Sequence, residues 1–90
     1  MAHREAIRRE ILRALAEVAP DAEPERLRPG VAFRDQIEID SLDFLNFVLA
    51  LEKRLGMRIP EVDYPRLSTL DGCLDHLASG FSRATSREVR

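Results

Sequence analysis

The chain has 90 residues and a mass of 10.3 kDa, which makes one small domain, because two would each be too short to bury a core without metals or disulfides. Hydrophobic residues at 44% beside charged residues at 33% exclude a disordered chain. A single cysteine with two histidines excludes a disulfide framework and any recognisable zinc spacing.

Few glycines, no Trp and many Leu, Ala, Glu and Arg favour helix over strand, since straight-chain residues lose little rotamer freedom in a helix. Ile7, Ile11, Leu12, Leu15 and Val18 recur at helical spacing. Pro20 pushes Ala19 out of the α region, so the first helix is predicted over residues 3–18. Arg4, Arg8, Arg9 and Arg13 alternate along it with Glu5, Glu10 and Glu17, a solvated face of helix ion pairs rather than a basic binding patch. From Ala19 to Asp40 there is no sustained period, and Pro24, Pro29 and Gly30 interrupt the chain. This is a long connection for so small a domain. Leu27, Val31, Phe33, Ile37 and Ile39 are spaced to pin it on the core as a packed loop with at most one short helical turn.

Asp40 opens the best-marked helix, Ser41 to Leu55. Its side chain suits the free first-turn amides, and Asp43 adds negative charge near them. Lys53 and Arg54 sit in the last turn, and Gly56 stops the helix by taking a left-handed conformation. A short turn follows around Glu61 to Leu67, interrupted by Pro65, and then a final helix from Ser68 or Thr69 to about Ser79, closed by Gly80. The expectation is an all-α bundle of three main helices and one short one with a long first loop. Residues 1–80 form the single domain and residues 81–90 a frayed tail.

At 100° per residue, Phe44, Phe47, Val48, Leu51 and Leu55 fall on one core-wide stripe of the Asp40-capped helix, while Leu42, Leu45 and Leu49 fall on a second. The bland account of the second stripe is a central helix touched from two sides. The charged neighbours Asp43, Glu52 and Lys53 favour the other account, an exposed protein-docking strip. Ser41 stands at the junction of both stripes. If Asp40 caps the helix, the Ser41 hydroxyl is left projecting where exposed amides and the helix dipole favour an added phosphate group. No base stands near it in sequence, so it is no catalytic nucleophile by itself.

The Asp40-Ser41-Leu42 tripeptide, Asp43, the Ala50-Leu51-Glu52 run, Gly56, Ile59-Pro60 and Ser68-Thr69-Leu70 together resemble the acyl carrier protein family from about Phe33 to Leu77. The resemblance implies a four-helix bundle with no catalytic activity, carrying 4′-phosphopantetheine on Ser41. The arm would be donated by coenzyme A through a phosphopantetheinyl transferase, and its thiol would hold acyl groups as thioesters. It further implies that acyl-loading and acyl-processing enzymes dock on Asp40, Leu42, Asp43, Leu45, Leu49 and Glu52. A tethered cargo stays near successive active sites at high effective concentration, and a fatty chain could retreat between helices lined by Phe44, Phe47 and Val48.

Asn46, Lys53 and Arg54 dilute the acidity typical of the family's recognition helix, which points to a freestanding carrier with dedicated partners in a specialised lipid or polyketide-like pathway. The bulk of Phe44 and Phe47 points to short or non-fatty cargo. The alternative is a helical interaction module in which Ser41 merely caps and bears no arm. Residues 35–63 hold seven acids against three bases, so nucleic acid is not expected as a partner. No apolar run nears the ~18 residues of a membrane span, and the N-terminus lacks a secretory apolar stretch; a cytoplasmic monomer is expected. Cys73 shares a helical stripe with Leu70, Leu74 and Leu77, a buried structural thiol. His76 lies one position off that stripe and reads as an exposed polar residue; no metal is assigned.

Overall fold

Ile7, Ile11, Ala14 and Leu15 form one buried stripe on α1, Ala2–Val18. The spacing that predicts the helix is therefore the spacing of its core contacts. The computed structural model describes the backbone of residues 2–89 and the side chains of residues 4–79. The chain leaves α1 after a last bond from Ala19 N to Leu15 O, because Pro20 has no amide to continue the ladder.

The long connection holds two helical turns where the sequence suggests at most one. The first is a 3-10 turn at Pro24–Arg26, started by a proline whose missing N–H costs nothing at that position. The second is α2, Phe33–Gln36. Gln36 clasps the loop on itself: its Oε1 accepts from Arg28 N at 2.9 Å, and its Nε2 donates to the carbonyls of Arg28 at 2.9 Å and Val31 at 3.0 Å. Two backbone bonds then bolt the loop to the far end of the chain, Phe33 N to Ser68 O at 2.8 Å and Asp71 N to Pro29 O at 3.0 Å. Phe33 is buried, and Leu27, Ile37 and Ile39 pack against the core.

Next come α3, Ser41–Leu55, a seven-residue 3-10 helix, Glu61–Leu67, and α4, Leu70–Val89. Phe47, Val48 and Leu51 are fully buried on α3, each such side chain contributing about 1.5–3 kcal/mol by leaving water. α1 packs mainly on α3 and also on α4, while the 3-10 helix packs on α4. The described residues contain no strand, as expected for an all-α chain.

Two sequence expectations need correction. The last helix does not end at Gly80 but continues to Val89; one interior glycine costs a helix only about 1 kcal/mol, and the residues after it include no proline. The charges of α1 are not mainly internal helix pairs either. Among the described residues only Arg13–Glu10 follows that pattern; Glu10 and Glu17 both reach Arg54 on α3, and Arg4 reaches Asp75 on α4.

Where α4 begins, Thr69 Oγ1 accepts from Gly72 N at 2.9 Å. A Cβ on Gly72 would lie 2.3 Å from the Arg66 carbonyl oxygen, so the 3-10 helix can close on α4 only where no side chain intervenes. Gly72→Ala is therefore expected to lower stability by more than about 2 kcal/mol in urea melts. Gly30→Ala, where the nearest atom stands 4.0 Å away, should change it by no more than about 1 kcal/mol.

Candidate functional site

Helix α3 begins with a reciprocal hydrogen-bonded box. Asp43 N donates to Asp40 Oδ1 at 2.8 Å, and Asp40 N donates to Asp43 Oδ2 at 3.2 Å. Asp40 is extended, with φ −104° and ψ −173°, so it stands outside the helix as a cap must. Ser41 is the first helical residue and is exposed. Its hydroxyl takes no part in the box, because the acceptor it would have supplied comes from Asp40.

From Ser41 the helix presents its two faces as read from the sequence. Leu42, Leu45 and Leu49 are 64%, 39% and 47% exposed, so no second element buries this stripe. Val62 on the 3-10 helix is 83% exposed; with no periodic neighbours in so short an element, no pattern in the sequence marks it. Asp43 is half-buried within the box. Glu52 is half-buried too, and its Oε2 accepts from Ile59 N at 2.7 Å. That carboxylate holds the turn after Gly56, whose φ of 64° is the left-handed conformation glycine adopts without strain. Arg54 is likewise engaged within the chain. Its Nε donates to Glu17 at 2.9 Å and its Nη1 to Glu10 at 3.2 Å, and these bonds, Glu17 first, hold its pKa above the ordinary value.

One turn along α3 from Ser41, a half-open, mostly apolar cavity of about 190 Å³ is lined by Phe33, Arg34, Phe44, Tyr64, Pro65 and Ser68 among others. Of the three residues the sequence suggests as lining for a fatty chain, only Phe44 is there. Phe47 and Val48 are sealed in the core at 0% exposure. Tyr64 and Arg34 go unpredicted because they reach the cavity through the fold of the loop and the 3-10 helix, not through any periodicity.

Residues 9–77 match the family described as phosphopantetheine attachment site. The chain is 30% identical over 73 residues to an acyl carrier protein of Rubrobacter xylanophilus, covering 78% of this chain and 90% of that protein. It is 32% identical over 73 residues to one from Acidothermus cellulolyticus, covering 78% and 87%. It is also 32% identical over 68 residues to the meromycolate extension acyl carrier protein of Mycolicibacterium aurum, covering 72% and 70%. The chain belongs to the acyl carrier protein family. It is a non-catalytic carrier whose acyl groups ride on covalently attached 4′-phosphopantetheine, a group that supplies the thiol for thioester linkage. The residues at the head of α3 fit such a group: an exposed hydroxyl is the atom a phosphodiester link requires.

The remaining reactive side chains are occupied elsewhere. His76 is partly buried rather than exposed, with Nε2 3.2 Å from Asp63 Oδ2, a pairing that the folding of the 3-10 helix onto α4 creates. No group of residues able to hold a metal ion occurs among those described, and no described helix is long and apolar enough to cross a membrane. Cys73 is buried, its Sγ donates to Leu67 O at 3.4 Å, and burial pushes the thiol up to about 12 from 9.0.

A raised acid pKa stabilises the fold fully below the unfolded value and is lost as pH climbs toward the folded one. Between pH 9 and about 12 the thiol should therefore subtract about 1.4 kcal/mol of stability per pH unit. Urea melts above pH 9 should show this slope, and Cys73→Ala should flatten it.

Proposed function

We propose that Ser41 is the attachment point of the arm and that α3 is the docking face of the carrier. The observation that carries the first half is the exposed hydroxyl on the first residue of α3, released because Asp40 does the capping. In the transfer, Ser41 Oγ forms the bond to the phosphorus bearing the arm. The pyrophosphate bridge of coenzyme A breaks, adenosine 3′,5′-bisphosphate leaves, and the hydroxyl proton passes to a base of the phosphopantetheinyl transferase. His76 is already paired with Asp63. The helix end contributes modestly, about 0.3–1 kcal/mol toward a phosphate, opposed by the two carboxylates of the box.

The docking surface is the strip of Leu42, Leu45 and Leu49, bordered by Asp40, Asp43 and Glu52. Three exposed leucines in one strip on so small a domain favour burial against a partner. The charge pattern supports a dedicated set of acyl-loading and acyl-processing enzymes in a specialised pathway rather than broad acidic steering. On α3 the acids Asp43 and Glu52 are diluted by Asn46 and Lys53, and the Glu52 carboxylate is already engaged by Ile59 N. Such partners recognise shape and apolar area more than long-range potential. The carrier acts as a monomer in the cytoplasm. The rival account, in which Ser41 is only a cap, loses its ground because Asp40 fills that role.

Incubation with coenzyme A and a broad-specificity transferase should add one arm to the wild type by intact mass spectrometry and none to Ser41→Ala. That variant should keep its stability to within about 1 kcal/mol, since the cap remains; an unmodified wild type overturns the assignment. Leu45→Glu should lower acyl transfer to a cognate enzyme by about tenfold or more, the loss of one interface anchor worth at least 1.4 kcal/mol. Its melting transition should stay close to that of the wild type.

A further inference from the structure

An arm attached at Ser41 adds a negative charge where the chain is already acidic. Between Arg28 and Lys53 the sequence holds the acids Asp35, Glu38, Asp40, Asp43 and Glu52 and a single cation, Arg34. Asp40 and Asp43 keep their carboxylates on amide donors at the head of α3, which satisfies their hydrogen bonds and leaves their charge in place. Arg34 is exposed, and among the described residues it joins no ion pair. Its charge is not taken up by the acids beside it in sequence.

The fold holds that cation near the start of α3. Arg34 and Phe44 line the same cavity, and Phe44, three residues past Ser41, donates from its N to Asp40 O at 2.9 Å. The root of Arg34 is fixed by its neighbour Phe33. That ring is buried and meets Phe47 of α3 edge-on with centroids 5.5 Å apart, and the Phe33 amide donates to Ser68 O at 2.8 Å. Only the Arg34 side chain is left to be ordered when an anion arrives, which limits the entropic cost of binding. A guanidinium also suits phosphate: its planar donors meet two oxygens at once, as a lysine ammonium does not.

We propose that Arg34 binds the phosphodiester of the arm on Ser41 and so turns the root of the arm toward α2. The proposal rests on Ser41 bearing the arm. The contact offsets the repulsion that Asp40 and Asp43 exert on the phosphate. At 100° per residue Phe44 and Leu42 flank Ser41 on opposite sides of α3, so an arm drawn to Arg34 leaves Leu42, Leu45 and Leu49 clear for a partner. An exposed pair of this kind is weak and sensitive to salt, which lets a partner enzyme pull the arm away.

The test compares apo and holo forms of the wild type, Arg34→Gln, Arg34→Lys and Lys53→Gln, the arm being added from coenzyme A by a broad-specificity transferase and counted by intact mass. Lys53 is the control. It lies twelve residues from Ser41, about 18 Å along the helix axis, against a screening length of about 8 Å at 0.15 M salt. At that salt, attachment should change the melting temperature of Arg34→Gln less favourably than that of the wild type, by about 2 °C or more, and the gap should close in 1 M salt. Lys53→Gln should show no gap. In phosphorus NMR the line of the arm should move in both Arg34 variants, while Arg34→Lys, which keeps the charge without the planar fork, retains part of the melting benefit. Should Arg34→Gln fail to fold, Arg34→Lys still decides through the phosphorus line. A melting gap or a phosphorus shift that is missing, or that recurs in Lys53→Gln, overturns the role of Arg34 and leaves Ser41 untouched, as does a folded Arg34→Gln that accepts no arm. A wild type that accepts no arm overturns both.

Discussion

The two hydrogen bonds between Asp40 and Asp43 decide what the head of α3 can offer. Every helix start leaves amides without partners, and a serine at that point ordinarily satisfies them with its own oxygen. Here the preceding aspartate does so at 2.8 Å, and the aspartate three residues on returns the bond at 3.2 Å. A cap is worth about 1 kcal/mol, small against the core yet enough to fix which side chain turns inward to the backbone and which faces out. Ser41 is exposed as a consequence.

The walls of the cavity one turn along α3 come from distant parts of the chain. The loop from Ala19 to Asp40 has few periodic contacts of its own, yet Gln36 makes three hydrogen bonds within it, and Phe33 and Asp71 tie it to residues 68 and 29. These bonds bring Phe33 and Arg34 up to Phe44 and Tyr64. Gly72 completes the arrangement by letting the 3-10 helix approach α4 at a distance no Cβ would tolerate. The cavity is thus a product of the loop, the 3-10 helix and α3 together.

Charge is distributed in the same spirit. Several ionic side chains that look available in the sequence are engaged internally: Arg54 with Glu10 and Glu17, Glu52 with the Ile59 amide, and His76 with Asp63. The surface pairs add little stability singly, but Arg54 joins α3 to Glu10 and Glu17 of α1, while Leu42, Leu45 and Leu49 stay exposed.

Periodicity and punctuation in the sequence determined the all-α class, α1 to within a residue at its start, both ends of α3, the buried stripe, the separate leucine stripe and the capping aspartate. Those features depend on neighbours within a few residues, where helix geometry and local hydrogen bonds leave few alternatives. The second helical turn of the loop, the partners of Arg54, Glu52 and His76, and the aromatic cavity were decided only by tertiary structure, because each joins residues far apart in the chain. The end of α4 escaped for a different reason: a glycine permits a helix to stop without compelling it, and no proline follows to enforce the break.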